Sequence, residues 1–153
     1  MHNTYIEAIA LVERLHRQFL ELVKLELDGL GIYDINNVQA LLLFNIGDAQ
    51  MTVSELSLRG CYLGSNVSYN IKKTAENGYL AQERSTHDRR VTYVRLTEKG
   101  AKLHDKLLQM HQRQAETLHQ TAITDEDLRA VTGTLGRLER FWVRVPELNR
   151  SAA

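Results

Sequence analysis

A chain of 153 residues, 43% apolar and 25% charged, is long enough for one compact core and too ordinary in composition to be disordered or fibrous. It contains no run of about 18 apolar residues, so a membrane span is not expected, and Met1-His2-Asn3-Thr4-Tyr5 lacks the basic start and apolar block of a secretion signal. The single cysteine, Cys61, has no internal partner, which suits a reducing cytoplasm, and the formal net charge is zero.

Apolar residues at Ile6, Ile9, Ala10, Leu15, Phe19, Leu22 and Val23 recur at helical spacing and predict a first helix over Asn3–Asp28, ended by Gly29 and Gly31. Asp34 or Asn36 caps a strongly apolar second helix through Val38, Leu41, Leu42 and Ile46, which stops at Gly47. Thr52-Val53-Ser54-Glu55 is a capping box: a hydroxyl closes the helix start and a carboxylate three residues on reaches back. It opens a short helix, Val53–Arg59, broken at Gly60.

Gly64-Ser65-Asn66 opens a further helix over Ser65–Asn77, with Val67, Ile71 and Ala75 on its inner face and Asn77-Gly78 ending it. The period then shortens. Leu80–Arg84 and Val91–Leu96 read as a β-hairpin whose tip is Ser85-Thr86-His87-Asp88-Arg89-Arg90. Thr97 caps a long amphipathic helix through Leu103, Leu107, Met110 and Leu118. Thr124-Asp125-Glu126-Asp127 caps the last helix, striped by Leu128, Val131, Leu135, Leu138 and Trp142, with Pro146 expected beyond its end.

Charge is unevenly spread along these elements. From Arg59 to Lys102 nine basic residues stand against four acidic ones, and the rest of the chain carries the opposite excess. A basic middle in an acidic frame is the footprint of an anion-binding surface, or of a solvated charged face. The pair Val53–Arg59 and Ser65–Asn77 has the form of a helix-turn-helix, in which the first helix braces the second against a major groove. Its outward positions would be Ser65, Asn66, Ser68, Tyr69, Asn70, Lys72 and Lys73, which supply amides, hydroxyls and charge for bases and phosphates. The hairpin tip adds Arg89 and Arg90, with Arg84 at the end of its first strand. An arginine there is suited to a minor groove, and Asp88 is suited to hold Arg90 in position by a charge-assisted pair.

The run Glu76-Asn77-Gly78-Tyr79-Leu80, then Glu83 to Arg90, then Val94-Arg95-Leu96-Thr97-Glu98-Lys99-Gly100 resembles the wing region of the MarR family. That hallmark combines a glycine at a helix end, a strand ending in Arg, an Asp-x-Arg wing and Leu-Thr-x-x-Gly opening the next helix. The resemblance implies a mainly α fold: a winged helix-turn-helix with a two-stranded hairpin wing and N- and C-terminal dimerisation helices. Segments 1–33 and 101–148 would dimerise and 34–100 would form the DNA-binding lobe. Asp88 and Arg90 match the wing pair, and Ser65 to Lys73 occupy the recognition-helix positions. Tyr69 and Asn70 depart from the smaller or other polar residues more usual there, so no DNA sequence preference carries over.

The family resemblance further implies a homodimer on a pseudo-palindromic duplex, more often a repressor, released by a small aromatic or phenolic ligand. Candidate cleft residues by helix position are Phe19, Asn37, Leu41, Phe44, Tyr62 and Val67, each of which also reads as core. Independently, Leu11, Val12, Leu25 and Leu27 off the main stripe of the first helix, and Phe141-Trp142-Val143, Val145 and Leu148 at the end of the last, exceed what a lone domain readily covers.

Other signals are weaker. Cys61 reads as a redox sensor or as a small hydrophobe in a turn. His104 and His111 are two helical turns apart, too far for one metal without help, and no metal or cofactor site is expected. No phosphate-cradling glycine loop, Gly-x-Ser-x-Gly or His-Glu-x-x-His run suggests an enzyme. The competing class is a winged helix that uses its basic face on an acidic protein partner, because the fold hosts both uses.

Overall fold

The computed structural model describes residues 1–60 and 64–151, in which six helices and three short strands follow one another. They are α1 (His2–Gly29), α2 (Asn37–Ile46), β1 (Met51–Thr52), α3 (Val53–Gly60), α4 (Gly64–Glu76), β2 (Leu80–Arg84), β3 (Thr92–Leu96), α5 (Glu98–Leu118) and α6 (Asp125–Ser151). The chain divides into two compact units, Met1–Met110 and His111–Ala153.

In the first unit α2 is the centre. It is apolar around most of its circumference and therefore needs cover on two sides. Ala40 and Leu43 face one buried cluster with Val23 and Leu27 of α1, Ile35, Tyr79, and Leu103, Leu107 and Met110 of α5. Leu42 and Ile46 face a second cluster with Met51, Leu56 of α3, Val67 and Ile71 of α4, Leu80 and Val94. The helix-turn-helix pair and the hairpin are thus anchored on one side of α2, and α1 and α5 on the other.

The start of α2 is closed by a reciprocal capping box. Asn36 Oδ1 accepts from the Gln39 backbone N–H at 2.9 Å, and Gln39 Oε1 accepts from the Asn36 N–H at 3.0 Å. The box expected at α3 is also formed: Glu55 N–H donates to Thr52 Oγ1 at 3.1 Å and Thr52 N–H to Glu55 Oε2 at 3.0 Å.

The hairpin β2–β3 has the expected limits to within a residue and gains a third strand. Met51 and Thr52 pair antiparallel with Val94 and Tyr93, giving the sheet order β1-β3-β2. Two residues are too short to show a period-two pattern, so periodicity left this strand unread.

Thr97 does more than cap α5. Its hydroxyl donates to Gly78 O at 2.6 Å and accepts from Gly100 N–H at 3.1 Å, while its own N–H donates to Tyr79 O at 3.1 Å. Gly78 has φ of +85°, and a Cβ on Gly100 would lie 2.1 Å from the Tyr79 carbonyl oxygen. The Leu-Thr-x-x-Gly spacing therefore stitches the end of α4 to the start of α5.

In the second unit α6 is capped as expected, Asp127 N–H donating to Thr124 Oγ1 at 3.1 Å. Asp127 accepts in turn from Thr124, and these hydrogen bonds, backbone first, hold its carboxyl below the ordinary range. Pro146 lies inside α6 and not beyond it, because the helix runs on to Ser151. No residue of α6 is buried, and Leu128, Val131, Leu135, Phe141, Trp142, Val143 and Leu148 are exposed large apolar residues. In α1, Ile6, Leu11, Leu15, Leu22 and Leu25 are exposed in the same way. Among the described residues no helix is long and apolar enough to cross a membrane.

Candidate nucleic-acid interface

Packing sets which face of α4 is free. Val67, Ile71 and Thr74 point inward, Thr74 satisfying its buried hydroxyl on Asn70 O at 2.6 Å. Asn66, Ser68, Tyr69 and Lys72 are exposed, and Lys73 is half-buried. Ser65 stands in the first turn of the helix. Lys73 Nζ pairs with Glu76 at 3.4 Å and lies 5.9 Å from the Tyr69 ring centroid, so the tyrosine and the lysine share one patch. Asn70 is less open than its exposed neighbours on that face. It is half-buried, and its Oδ1 accepts from Gln39 Nε2 at 3.2 Å.

The hairpin tip is ordered by its own polar groups. Ser85 Oγ accepts from the N–H groups of His87 and Asp88 at 3.2 and 3.3 Å, and Val91 N–H donates to Asp88 O at 3.0 Å. Asp88 Oδ1 accepts from both the backbone N–H and Nε of Arg90, at 3.0 and 3.1 Å, and Oδ2 accepts from Nη2 at 3.2 Å. These bonds, the side-chain ones first, hold the Asp88 carboxyl below its ordinary range. The Arg90 side chain nevertheless remains 91% exposed, so its guanidinium is oriented and still open to solvent. Arg84 and Arg89 are exposed beside it. Between the hairpin, the start of α3 and α4 lies a cleft of about 450 Å³ whose polar lining includes Thr52, Ser54, Ser68, Gln82, Arg90 and Thr92.

A second polar cluster braces this lobe. Asp34 Oδ1 accepts from Tyr79 OH at 2.9 Å and Oδ2 from Lys99 Nζ at 3.3 Å, while Lys99 also donates to Asn77 O at 2.8 Å. The ammonium sits 4.2 Å from the Tyr79 ring centroid. Burial and the Asp34 hydrogen bond and charge push the Tyr79 phenol up to about 12. Burial pushes Asp34 up, but the bonds from Tyr79 and Lys99 and the Lys99 charge outweigh it, leaving that carboxyl below its ordinary range. Neither the Asp34 bonds nor the Gln39–Asn70 bond is legible in the sequence, since their partners lie 31 to 65 residues apart. The one available signal was Gln39, placed three residues after a capping Asn.

The residues expected to line an effector cleft divide between the two sides of α2. Phe19, Leu41 and Phe44 pack against the first core cluster, and Phe44 stacks on His104 at 4.8 Å with the rings 16° apart. Asn37 donates to Leu20 O at 3.1 Å. Val67 is 1% exposed in the second cluster, on the other side of α2, because the inward stripe of α4 that places it also buries it. Tyr62 and Cys61 lie outside the described residues.

A helix pair braced on α2, a polar and basic outer face, and an arginine presented at a hairpin tip define a winged-helix DNA-binding lobe. Residues 35–100 match the winged helix DNA-binding domain family. Over 144 residues the chain is 40% identical to the exopolysaccharide II synthesis transcriptional activator ExpG of Rhizobium meliloti, spanning 91% of this chain and 72% of that protein. Its fold is similar to that of FabT of Streptococcus pneumoniae, solved in complex with DNA, at a TM-score of 0.72 and 22% identity over 92% of this chain and 99% of that one. It is likewise similar to Staphylococcus aureus MarR, solved with salicylate and kanamycin, at 0.73 and 22% identity over 93% and 94% of the two chains. The chain belongs to the MarR family of winged helix-turn-helix regulators and is a DNA-binding transcriptional regulator.

Proposed function

We propose that this regulator works in the cytoplasm as a homodimer on a pseudo-palindromic operator, with α4 in a major groove and the wing in the neighbouring minor groove. The observation that carries this reading is the geometry of the wing tip. Asp88 fixes Arg90 through three hydrogen bonds, yet leaves its guanidinium exposed next to the free face of α4. A pre-oriented cation loses little freedom on entering a groove where negative potential is focused. Asn66, Ser68 and Tyr69, with Ser65 before them, face the bases. Lys72, Lys73, Arg84 and Arg89 supply phosphate contacts.

Dimerisation is supported by the apolar residues left exposed on α1 and along α6, which exceed what a monomer ordinarily shows to water. A two-fold dimer would set its recognition helices about 34 Å apart, one turn of duplex. Small aromatic ligands are the effector class, supported by the salicylate complex of the Staphylococcus aureus relative. A ligand acts by favouring one spacing of the two recognition helices. Bound over a promoter the dimer represses. Bound upstream of one it has room to activate, and the Rhizobium meliloti relative is named a transcriptional activator.

The test is a fluorescence-anisotropy titration with the DNA upstream of the protein's own gene, beside an unrelated duplex, at two salt concentrations. Tighter binding to the upstream DNA, with both affinities falling as salt rises, is expected. No binding to either duplex at low salt would overturn the reading and favour a winged helix that docks on an acidic protein.

A further inference from the structure

The buried amide of Gln39 has more to do than close α2. It is only 6% exposed, and its two ends meet different partners. Oε1 accepts from the Asn36 backbone N–H at 3.0 Å, and Nε2 lies 3.2 Å from the Asn70 side chain on α4. A backbone N–H only donates, so the end of Gln39 that faces Asn36 must be its oxygen. The end facing Asn70 is then the NH₂, which only donates, so Asn70 must answer with its oxygen. Two amides that would otherwise be free to flip are set in series by one main-chain donor.

This ordering decides what residue 70 offers to DNA. Asparagine recognises adenine by accepting from N6 and donating to N7 together, which needs both ends of the amide. With Oδ1 directed at the buried Gln39 amide, the Nδ2 hydrogens are the end of Asn70 left to offer. We propose that Gln39 is a positioning residue for base readout, turning Asn70 into a donor toward the major groove. Asn70 then favours guanine or thymine, whose groove edges carry O6 and N7 or O4, and disfavours cytosine, whose edge carries only a donor. This rests on the reading that α4 enters the major groove.

The experiment is selection from a pool of randomised duplexes by the purified full chain, followed by sequencing of the bound fraction. Asn70→Ala locates the base pair that depends on residue 70. Gln39→Glu keeps the capping acceptor but needs a donor from Asn70, which turns Oδ1 outward. The preference at that one pair should move from guanine or thymine to cytosine or adenine, by roughly fivefold or more in relative enrichment. Gln39→Met frees the amide and should broaden the same position without moving the others. It also carries the test if the Glu variant does not fold by circular dichroism. Folded Gln39 variants that enrich the wild-type base as strongly as the wild type would overturn the proposal, as would an Asn70→Ala pool with no altered position. Failure of the wild type to enrich any sequence would instead sink the major-groove reading on which it rests.

Discussion

The backbone of Gly100 passes so close to Tyr79 that a Cβ at position 100 would stand 2.1 Å from the Tyr79 carbonyl oxygen. That contact lies between backbone groups, so no side-chain rotation relieves it. Thr97 bonds to both flanks of the same junction. The junction joins the end of the recognition helix to the first turn of α5, and it fixes where the hairpin leaves the lobe.

Gly100→Ala is therefore expected to destabilise the protein by about 3 kcal/mol, the upper range for overpacking where the backbone must move. Thermal unfolding followed by circular dichroism should show the midpoint falling by roughly 6–12 °C. An unchanged midpoint would mean that the junction yields more easily than its geometry allows.

At the wing, Arg90→Ala should weaken operator binding at matched salt while leaving the unfolding midpoint in place. Asp88→Asn should give a smaller loss, because Asn keeps one acceptor for the Arg90 N–H groups but removes the charge that orients the guanidinium. Anisotropy titrations of both variants check this. Equal affinities for wild type and folded Arg90→Ala would take the wing out of the mechanism.

The Asp34–Tyr79–Lys99 cluster predicts pH dependence at both ends of the scale. The Tyr79 phenol is raised to about 12, so its contribution to stability is complete below the ordinary tyrosine value of about 10. That contribution is lost as pH rises through the folded value. Ultraviolet titration should show one of the six tyrosines ionising late, and Tyr79→Phe should abolish that phase. Asp34 is lowered, so its contribution is present above the unfolded carboxylate value and lost as pH falls through the folded one. Asp34→Asn should flatten the acid limb of the stability curve.

Along α6, Leu128, Val131, Leu135 and Trp142 recur at intervals that place them on one side of the helix, and all are exposed in the single chain. Leu135→Asp should shift the protein to monomer in analytical ultracentrifugation and weaken operator binding at least tenfold, since each half-site contact then binds alone. A dimer that persists undiminished in this variant would move the interface elsewhere.

Much of the local structure could be read from the residues in order. The Thr52–Glu55 box, the stop at Gly47 and the inner stripe Val67–Ile71 on α4 all depend on side chains within a turn or two of one another. Local spacing therefore reports them directly. The Asp88–Arg90 pair is legible for the same reason, its members being two residues apart. The placement of Pro146 failed because a proline ends a helix only as a tendency, and α6 continues past it.

What the tertiary structure alone decided is which outward-seeming groups are already engaged. Asn70 lies one position after exposed Tyr69 and two after exposed Ser68, yet α2 brings Gln39 to it from 31 residues away. Val67 and Phe44 looked like neighbours in a cleft, but they fall on opposite sides of α2, because that helix is apolar around its circumference and feeds two cores. Met51 and Thr52 become a strand only because β3 offers them a free edge. The sequence by itself determined the six helices, the hairpin and the charge of the outer face of the lobe. The direction of the Asn70 amide on that surface was decided by a partner distant in the chain, since a hydrogen bond depends on where its acceptor lies in space and not on separation in sequence.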